Sequence, residues 1–316
     1  MRCLCCGKKL SVSEQTDGWH KKCIKSFFGI SDMPELDISD KVLERIANDN
    51  INKGMTVTGV QKKMSVHLSK DDKYRLTIVG YPTGYILKPQ SDDYVNLPEA
   101  EYLNMKMAES IGINTVKNGL IRIKDQYAYI TKRLDREILK NGRISLFAME
   151  DFCQLSGKLT YDKYKGSYEQ CARIISRYSC RPGLDLAEFY LRLVFCFVTG
   201  NSDMHLKNFS LIEKTPKSRE FILSPAYDLL PVNIIIPEDD EETALMICGR
   251  RKNIHRKHFI ELAEKINLQN KVAERIIEKV TSKLDLFIEM CDESLMSTIM
   301  KDNMKKLMKN RVKVIE

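Results

Sequence analysis

Apolar and polar positions follow two different periods along this chain. From 56 to 88 they alternate as in half-buried strands: Thr56-Val57-Thr58 leads into Gly59, Met64, Val66 and Leu68 take every second place, and Leu76 and Ile78 precede Tyr85-Ile86-Leu87-Lys88. The turn formers Tyr81-Pro82-Thr83-Gly84 predict that the last two of these strands are joined as a pair. Upstream, 31–50 reads as a linker and a short helix, capped by Ser39 or Asp40, with Val42, Leu43 and Ile46 on one face. A helix is predicted over 98–111, starting at Pro98 and carrying Tyr102, Met105, Met107 and Ile111. A hairpin follows, from Leu120-Ile121-Arg122-Ile123 through Lys124-Asp125-Gln126 to Tyr127–Thr131. After about 133 the period becomes helical. Asp185-x-x-Glu188 has the form of a capping box and predicts a helix with Leu186, Phe189, Tyr190, Leu193, Val194 and Phe197 on one side. That helix runs into the loop carrying Asp203, Phe209–Ile212 and Phe221–Leu223 pair as a hairpin, and 256–313 is mostly helical.

These patterns predict an α+β chain in three parts: a cysteine-rich segment at 1–30, a sheet-rich lobe at 31–133 and a helical lobe at 134–316. A small ligand is expected in the cleft between two such lobes. Of the 316 residues 43% are hydrophobic and 30% charged, which fits a globular protein and argues against global disorder. The net charge of +8 permits a polyanionic partner without requiring one. The acidic run 238–242 and the basic residues of 301–313 read as a solvated loop and a solvated helix face. Neither a signal peptide nor a membrane span is read, so a cytoplasmic protein without a membrane partner is expected, its ten cysteines serving as thiols or metal ligands.

Cys3-x-x-Cys6 and His20-x-x-Cys23 offer three thiols and an imidazole, a set suited to tetrahedral zinc, with Cys5 as a spare thiol. A metal-free thiol-rich cap is the alternative, since the intervening stretch is short of apolar residues for a finger core. A nucleic-acid finger is a third reading: Lys8, Lys9, Lys21 and Lys22 are near, but Trp19 alone offers a stacking ring.

The second half holds a denser constellation. Asp203, Asn208 and Asp228 have the composition a phosphotransferase needs, with Asp203 to orient or deprotonate a hydroxyl and Asn208 and Asp228 to hold magnesium against nucleotide phosphates. Lys207 can neutralise charge on a transferred phosphoryl group, and His205 lies beside it. Lys88, at a strand end, is placed to pair with α- and β-phosphates, with Glu101 as the carboxylate that holds it and Glu99 as the alternative. Thr58-Gly59-Val60-Gln61-Lys62-Lys63 can cover phosphates, although a single glycine also suits an ordinary hairpin. The bland alternative for 201–208 is a set of turn formers, but turns do not require a polar cluster after a buried helix, then a hairpin, then another Asp.

Together these residues carry a resemblance. Thr58-Gly59-Val60-Gln61-x-Lys63, Ile86-Leu87-Lys88, Pro98-Glu99-Ala100-Glu101, Lys132-Arg133-Leu134-Asp135-Arg136, Asn201 to Ser210 and Pro225-Ala226-Tyr227-Asp228-Leu229 resemble the HipA-type serine/threonine kinases of bacterial toxin–antitoxin systems over roughly 56 to 260. The Asp-x-His-x-Lys-Asn-Phe-Ser stretch is its most specific part. The resemblance implies a divergent two-lobed protein-kinase-like fold and an ATP- and magnesium-dependent enzyme. It implies a hinge at Lys132, Arg133 and Leu134, ATP contacts from Thr58 to Lys63, Lys88, His205 and Tyr227, catalysis by Asp203, and magnesium on Asn208 and Asp228. It further implies a protein substrate such as an aminoacyl-tRNA synthetase, and restraint by a helix-turn-helix antitoxin through which any DNA contact would be indirect.

The segment before the phosphate loop is shorter than in full-length members and holds the cysteine cluster. This resembles the compact, HipT-like branch, in which a separate small partner protein would supply the missing subdomain. Arg133-Leu134-Asp135-Arg136 stands where Arg-Phe-Asp-Arg is usual. Family members can phosphorylate hydroxyls in their own phosphate loop, so Thr56 and Thr58 are the expected sites, ahead of Ser65. A phosphate there adds about −1.5 to −2 charge and opposes triphosphate binding. Two other readings stand beside the kinase: a zinc-binding DNA-associated regulatory module built on Cys3, Cys6, His20, Cys23 and the basic tail, and a kinase-fold enzyme acting on a small molecule.

Overall fold

The computed structural model describes residues 1–37, 63–70, 73–78, 84–138 and 144–316. The expected helix within 31–50, most of the phosphate loop with Thr56 and Thr58, and the turn residues 81–83 lie outside the described residues. The chain divides into two compact units, 1–102 with 116–133, and 103–115 with 134–316.

The first unit is built on a six-stranded sheet of β1 (Glu35–Asp37), β2 (Met64–Lys70), β3 (Tyr74–Ile78), β4 (Tyr85–Pro89), β5 (Asn118–Ile123) and β6 (Gln126–Lys132). The order is β1-β3-β2-β4-β6-β5, antiparallel except for β1 beside β3. Met64, Val66, Leu76, Leu87, Leu120 and Ile130 are buried, as alternation requires. The predicted pairing of β3 with β4 is wrong, because β2 lies between them and pairs with both. Alternation fixes which face a residue takes but not which strand lies alongside.

Residues 1–30 are fastened to this sheet rather than standing apart. Leu120 N donates to Leu4 O at 2.8 Å, and Trp19 Nε1 donates to Leu120 O at 2.9 Å. Helix α1 (Lys21–Phe28) sends Phe27 and Phe28 against Tyr85 of β4, with ring centroids 5.6 and 5.4 Å away. The segment's missing apolar core is thus borrowed from the sheet. The close approach demands glycine at 119, where a Cβ would lie 2.6 Å from the Trp19 ring and 3.1 Å from Leu4 O. Gly119→Ala is expected to destabilise the first unit by about 1–3 kcal/mol through overpacking, read as a lower denaturant midpoint.

Helix α2 (Leu97–Ser110) contributes residues to both units. The second unit holds the hairpin of β7 (Arg136–Ile138) and β8 (Ile144–Leu146), and a three-stranded sheet of β9 (Met149–Asp151), β10 (Ser210–Glu213) and β11 (Phe221–Leu223) in the order β11-β10-β9. Its helices are α3 (Phe152–Leu155), α4 (Tyr168–Tyr178), α5 (Pro182–Thr199), α6 (Val232–Ile235), α7 (Arg256–Lys265), α8 (Asn270–Thr281), α9 (Leu284–Asp292) and α10 (Thr298–Ile315). Helix α5 is the core: every residue from Phe189 to Thr199 is buried, as expected of a helix apolar on nearly all sides.

The capping-box prediction for α5 fails. The helix begins at Pro182, a favoured first position, and Asp185 lies inside it. The Asp185 carboxylate instead accepts bonds from Ser179 Oγ, Arg181 Nε and Leu223 N, tying α5 to β11. Gly200 ends α5 in the left-handed conformation, φ 73°, and Asn201 N returns to Cys196 O at 2.8 Å. The loop carrying Asp203 therefore leaves a rigid helix at a fixed angle. Among the described residues no helix is long and apolar enough to cross a membrane.

Candidate active site

The loop 201–209 is pinned from below by its apolar members. Met204, Leu206 and Phe209 are fully buried, Phe209 among Phe152, Tyr168 and Phe189. Between these anchors the polar side chains have defined partners. Asp203 N donates to Asn201 Oδ1 at 3.2 Å, and Tyr164 Oη donates to Asp203 Oδ1 at 2.5 Å. The Asp203 side chain stays 40% exposed, which leaves it accessible to a hydroxyl. His205 is buried, caps the short turn Leu206–Asn208 and accepts Lys207 N on Nδ1 at 3.3 Å. Its Nε2 therefore carries the proton in the neutral ring and lies 4.0 Å from Asp203 Oδ1.

Asn208 Nδ2 donates to the Asp203 carbonyl at 2.8 Å. With its nitrogen so committed, the amide offers Oδ1 as an oxygen ligand, the atom a hard cation requires. The β10–β11 register carries the chain back to this point: Ser224 N donates to Ser210 O at 2.9 Å. Tyr227 Oη lies 2.5 Å from Ser210 Oγ and donates to Lys207 O at 3.1 Å. Burial pushes the Tyr227 phenol well above its usual range, so it stays neutral and acts as a hydrogen-bonding post. The next residue, Asp228, takes φ 55°, a left-handed conformation that aspartate tolerates better than most and that is found where structure over-determines the backbone. Asn208 and Asp228 thus each adjoin one end of the Tyr227–Lys207 hydrogen bond, and a neutral amide oxygen and a carboxylate are the donor types a hard cation takes.

Sequence reasoning missed several residues that hold this site. Lys207 Nζ donates to Asp151 Oδ2 at 2.7 Å, while Asp151 Oδ1 caps α3 by accepting Gln154 N. The register explains the pair, since Asp151 lies opposite Ser210. Ser202 Oγ donates to Asp239 Oδ2 at 2.6 Å, and Tyr168 Oη donates to Met204 O at 3.1 Å. The acidic run is therefore more than a solvated loop: Asp239 braces Ser202, and Glu242 accepts Ile254 N and pairs with Arg311. Nor is the basic tail wholly a solvated face, because Arg311 lies over the Phe197 ring at 4.5 Å. The spacing of these residues gives no signal in the sequence, as they converge only through strand register and helix packing.

In the first unit, Lys88 Nζ donates to Glu101 Oε1 at 2.5 Å, with both side chains almost fully buried, and lies 5.2 Å from the Tyr129 ring centroid. Glu99, the alternative partner, instead accepts Asn96 Nδ2 at 3.0 Å, and burial raises its pKa. Lys132 N donates to Lys117 O and Arg133 N to Gly84 O, both at 2.9 Å, and the chain passes to the second unit between Arg133 and Leu134. Of the phosphate-loop candidates, Lys63 alone is described, exposed just before β2, while Thr58, Gly59, Val60, Gln61 and Lys62 lie outside the described residues. The ligand atoms of Cys3, Cys6, His20 and Cys23 gather within 4.8 Å of one another. Trp19 is fully buried, which removes the stacking ring that a nucleic-acid finger would need.

Residues 55–286 match the family model described as the HipA-like C-terminal domain. A Sinorhizobium fredii protein named "Putative kinase Y4dM" is 33% identical over 69% of this chain and 55% of its own length. A Haemophilus influenzae protein named "Putative kinase" is 26% identical over 77% of this chain and 76% of its own. The chain thus spans little more than half of the first relative. Among solved structures, HipA of Shewanella oneidensis, in a toxin–antitoxin complex with HipB and operator DNA, matches with a TM-score of 0.72 at 17% identity over 87% of this chain and 70% of that one. The Helicobacter pylori proinflammatory kinase CtkA matches at 0.53 and 14% identity, over 80% and 93%. These likenesses establish an α+β kinase-like fold. With its family model covering well over half of its length, the chain belongs to the HipA-like C-terminal domain family.

Proposed function

We propose that this protein is an ATP- and magnesium-dependent protein serine/threonine kinase, the toxin of a toxin–antitoxin system. The observation that carries the reading is the loop 203–208, where an exposed Asp203 carboxylate accepts from Tyr164 and the Asn208 amide nitrogen is tied to the Asp203 carbonyl, which orients the amide oxygen as an acceptor. Asp203 orients the acceptor hydroxyl and takes its proton. Asn208 and Asp228 hold magnesium, which when bound neutralises the charge of the phosphate chain. Lys207, positioned by Asp151, stands beside the transferred group, and His205 and Tyr227 shape the nucleotide side of the loop. Lys88, held by Glu101, binds phosphate oxygens, the loop Thr58–Lys63 covers them, and Lys132–Leu134 contacts the base.

A protein of translation such as an aminoacyl-tRNA synthetase is the proposed substrate, and a helix-turn-helix antitoxin, a small partner protein or both are the proposed restraint. The named partners of the Shewanella neighbour support an antitoxin. The reading is tested by incubating the full-length protein with γ-labelled ATP in a bacterial lysate. Labelled serine or threonine on one protein band is the expected result, with magnesium required. A digest of the kinase itself should show phosphate on Thr56 or Thr58. Label found only in small molecules would favour the small-substrate alternative, and no label transfer with any acceptor would end the kinase reading.

A further inference from the structure

The thiol and imidazole cluster of the first unit takes no part in the proposed phosphoryl transfer, yet it is built with care. We infer that Cys3, Cys6, His20 and Cys23 hold one structural zinc ion, which clamps the two arms of the N-terminal hook onto strands β4 and β5. The donor atoms have the required spacing. Around tetrahedral zinc, with Zn–S about 2.3 Å and Zn–N about 2.0 Å, ligand atoms lie about 3.5 to 3.8 Å apart. Cys6 Sγ and Cys23 Sγ lie 3.3 and 3.8 Å from His20 Nδ1, and all four donors fall within 4.8 Å.

The outer contacts of the cluster also have the form of a metal site. His20 Nε2 lies 3.0 Å from the Lys9 carbonyl, an oxygen that only accepts. Nε2 therefore carries the proton, and Nδ1 turns its lone pair toward the thiols, as a ligating histidine does. Cys3 Sγ accepts His20 N at 3.4 Å, which fixes the sulfur beside the imidazole. Gly7 follows the Cys3-x-x-Cys6 arm with φ 71°, donates its N–H to Cys3 O at 2.8 Å, and lets Cys3 N return to Lys8 O at 2.8 Å. Only a residue free to take a left-handed conformation closes this turn without strain. Three thiolates and an imidazole are borderline-soft donors, and a full set of four protein ligands leaves no open position for catalysis.

The ion would hold a small apolar cluster against the sheet. The ligands lie at both arms of the hook, at 3–6 and 20–23, and between and after them Leu4, Leu10, Trp19, Ile24, Phe27 and Phe28 are buried. Leu4 and Trp19 bond to Leu120 of β5, and Phe27 and Phe28 pack on Tyr85 of β4, three residues before Lys88. Without the ion, no metal bond would bridge the donors of the 3–6 arm to those of the 20–23 arm, and the hook would lose that closure.

Metal analysis of the full-length protein, purified without chelator, tests this independently of any kinase activity. One zinc per chain is expected, together with a clear fall in unfolding temperature after chelation that added zinc reverses. Cobalt(II) given to the stripped protein should produce the visible d–d bands and thiolate charge-transfer band of a tetrahedral site. Cys5→Ser should keep its zinc, His20→Cys should keep it in an all-thiolate site, and Cys6→Ser should lose it or release it far faster to a chromogenic chelator. Wild-type protein that holds no zinc even when zinc is supplied, and shows neither cobalt spectrum nor thermal shift, overturns the proposal. So does zinc retained with unchanged release in a Cys6→Ser, Cys23→Ser double variant. If Cys6→Ser proves insoluble, the cobalt spectrum of the wild type decides.

Discussion

Asp203→Asn is expected to lower the rate of phosphoryl transfer by about 10²- to 10⁴-fold, the usual weight of a positioned general base, while the protein unfolds at the same temperature as wild type. The separation is possible because the loop does not stand on the carboxylate. Met204, Leu206 and Phe209 anchor it by burial, and Asn208 bonds to the Asp203 main-chain carbonyl, which the substitution leaves in place. Asparagine retains an Oδ1 to accept from Tyr164, so the local network survives and only the charge and basicity are lost. Asp228→Asn should act differently. It removes an anionic oxygen from the proposed metal pair, so activity should fall and recover in part as magnesium is raised, whereas Asp203→Asn should not respond to magnesium. Label transfer at several magnesium concentrations, with thermal unfolding of each variant, reads both effects. Wild-type rates in folded Asp203→Asn would remove Asp203 from the mechanism, and an Asp228→Asn variant insensitive to magnesium would remove Asp228 from the metal site.

The parts of this design legible in the sequence are those written by local rules. Alternation marked Met64 and Val66 as the buried face of β2, the one-sided apolar set from Leu186 to Phe197 marked a helix running into the Asp203 loop, and the β10–β11 hairpin was visible in its two apolar stretches. Rules of adjacency did less well. Asp185 and Glu188 have capping-box spacing, yet the carboxylate of Asp185 closes a contact to β11 far along the chain, and Glu188 bonds Arg192 and Asn114 N. The β3 and β4 strands follow one another but have β2 between them. The same limit hid Asp151, Tyr164 and Asp239, which reach the loop 201–208 from elements whose approach depends on register. For residues 1–30 the sequence lacked an apolar core because the core belongs to the sheet: only the folded chain brings Trp19 against Gly119 and Phe27 against Tyr85.

The buried pair of Lys88 and Glu101 carries the second large effect, on stability and activity at once. Two opposite charges almost wholly removed from water face each other at 2.5 Å, so removing one weakens the compensation of the charge that stays buried. Lys88→Met is expected to cost about 3–5 kcal/mol of stability and to lower phosphoryl transfer by about 10²- to 10³-fold. Neither loss alone says what Lys88 is for, because a damaged first unit would also be a poor enzyme. The double variant Lys88→Met, Glu101→Leu separates the two. It replaces the ion pair with apolar side chains of similar volume, a change that is often neutral or stabilising, so most of the stability should return. Activity should not, since the Lys88 ammonium is still missing from the phosphates. Denaturant unfolding and label transfer on wild type, both single variants and the double variant give the full cycle. A double variant as unstable as Lys88→Met would mean that the pair is not the source of the stability loss. A stable double variant with wild-type rates would make Lys88 a structural lysine and move phosphate binding elsewhere in the first unit.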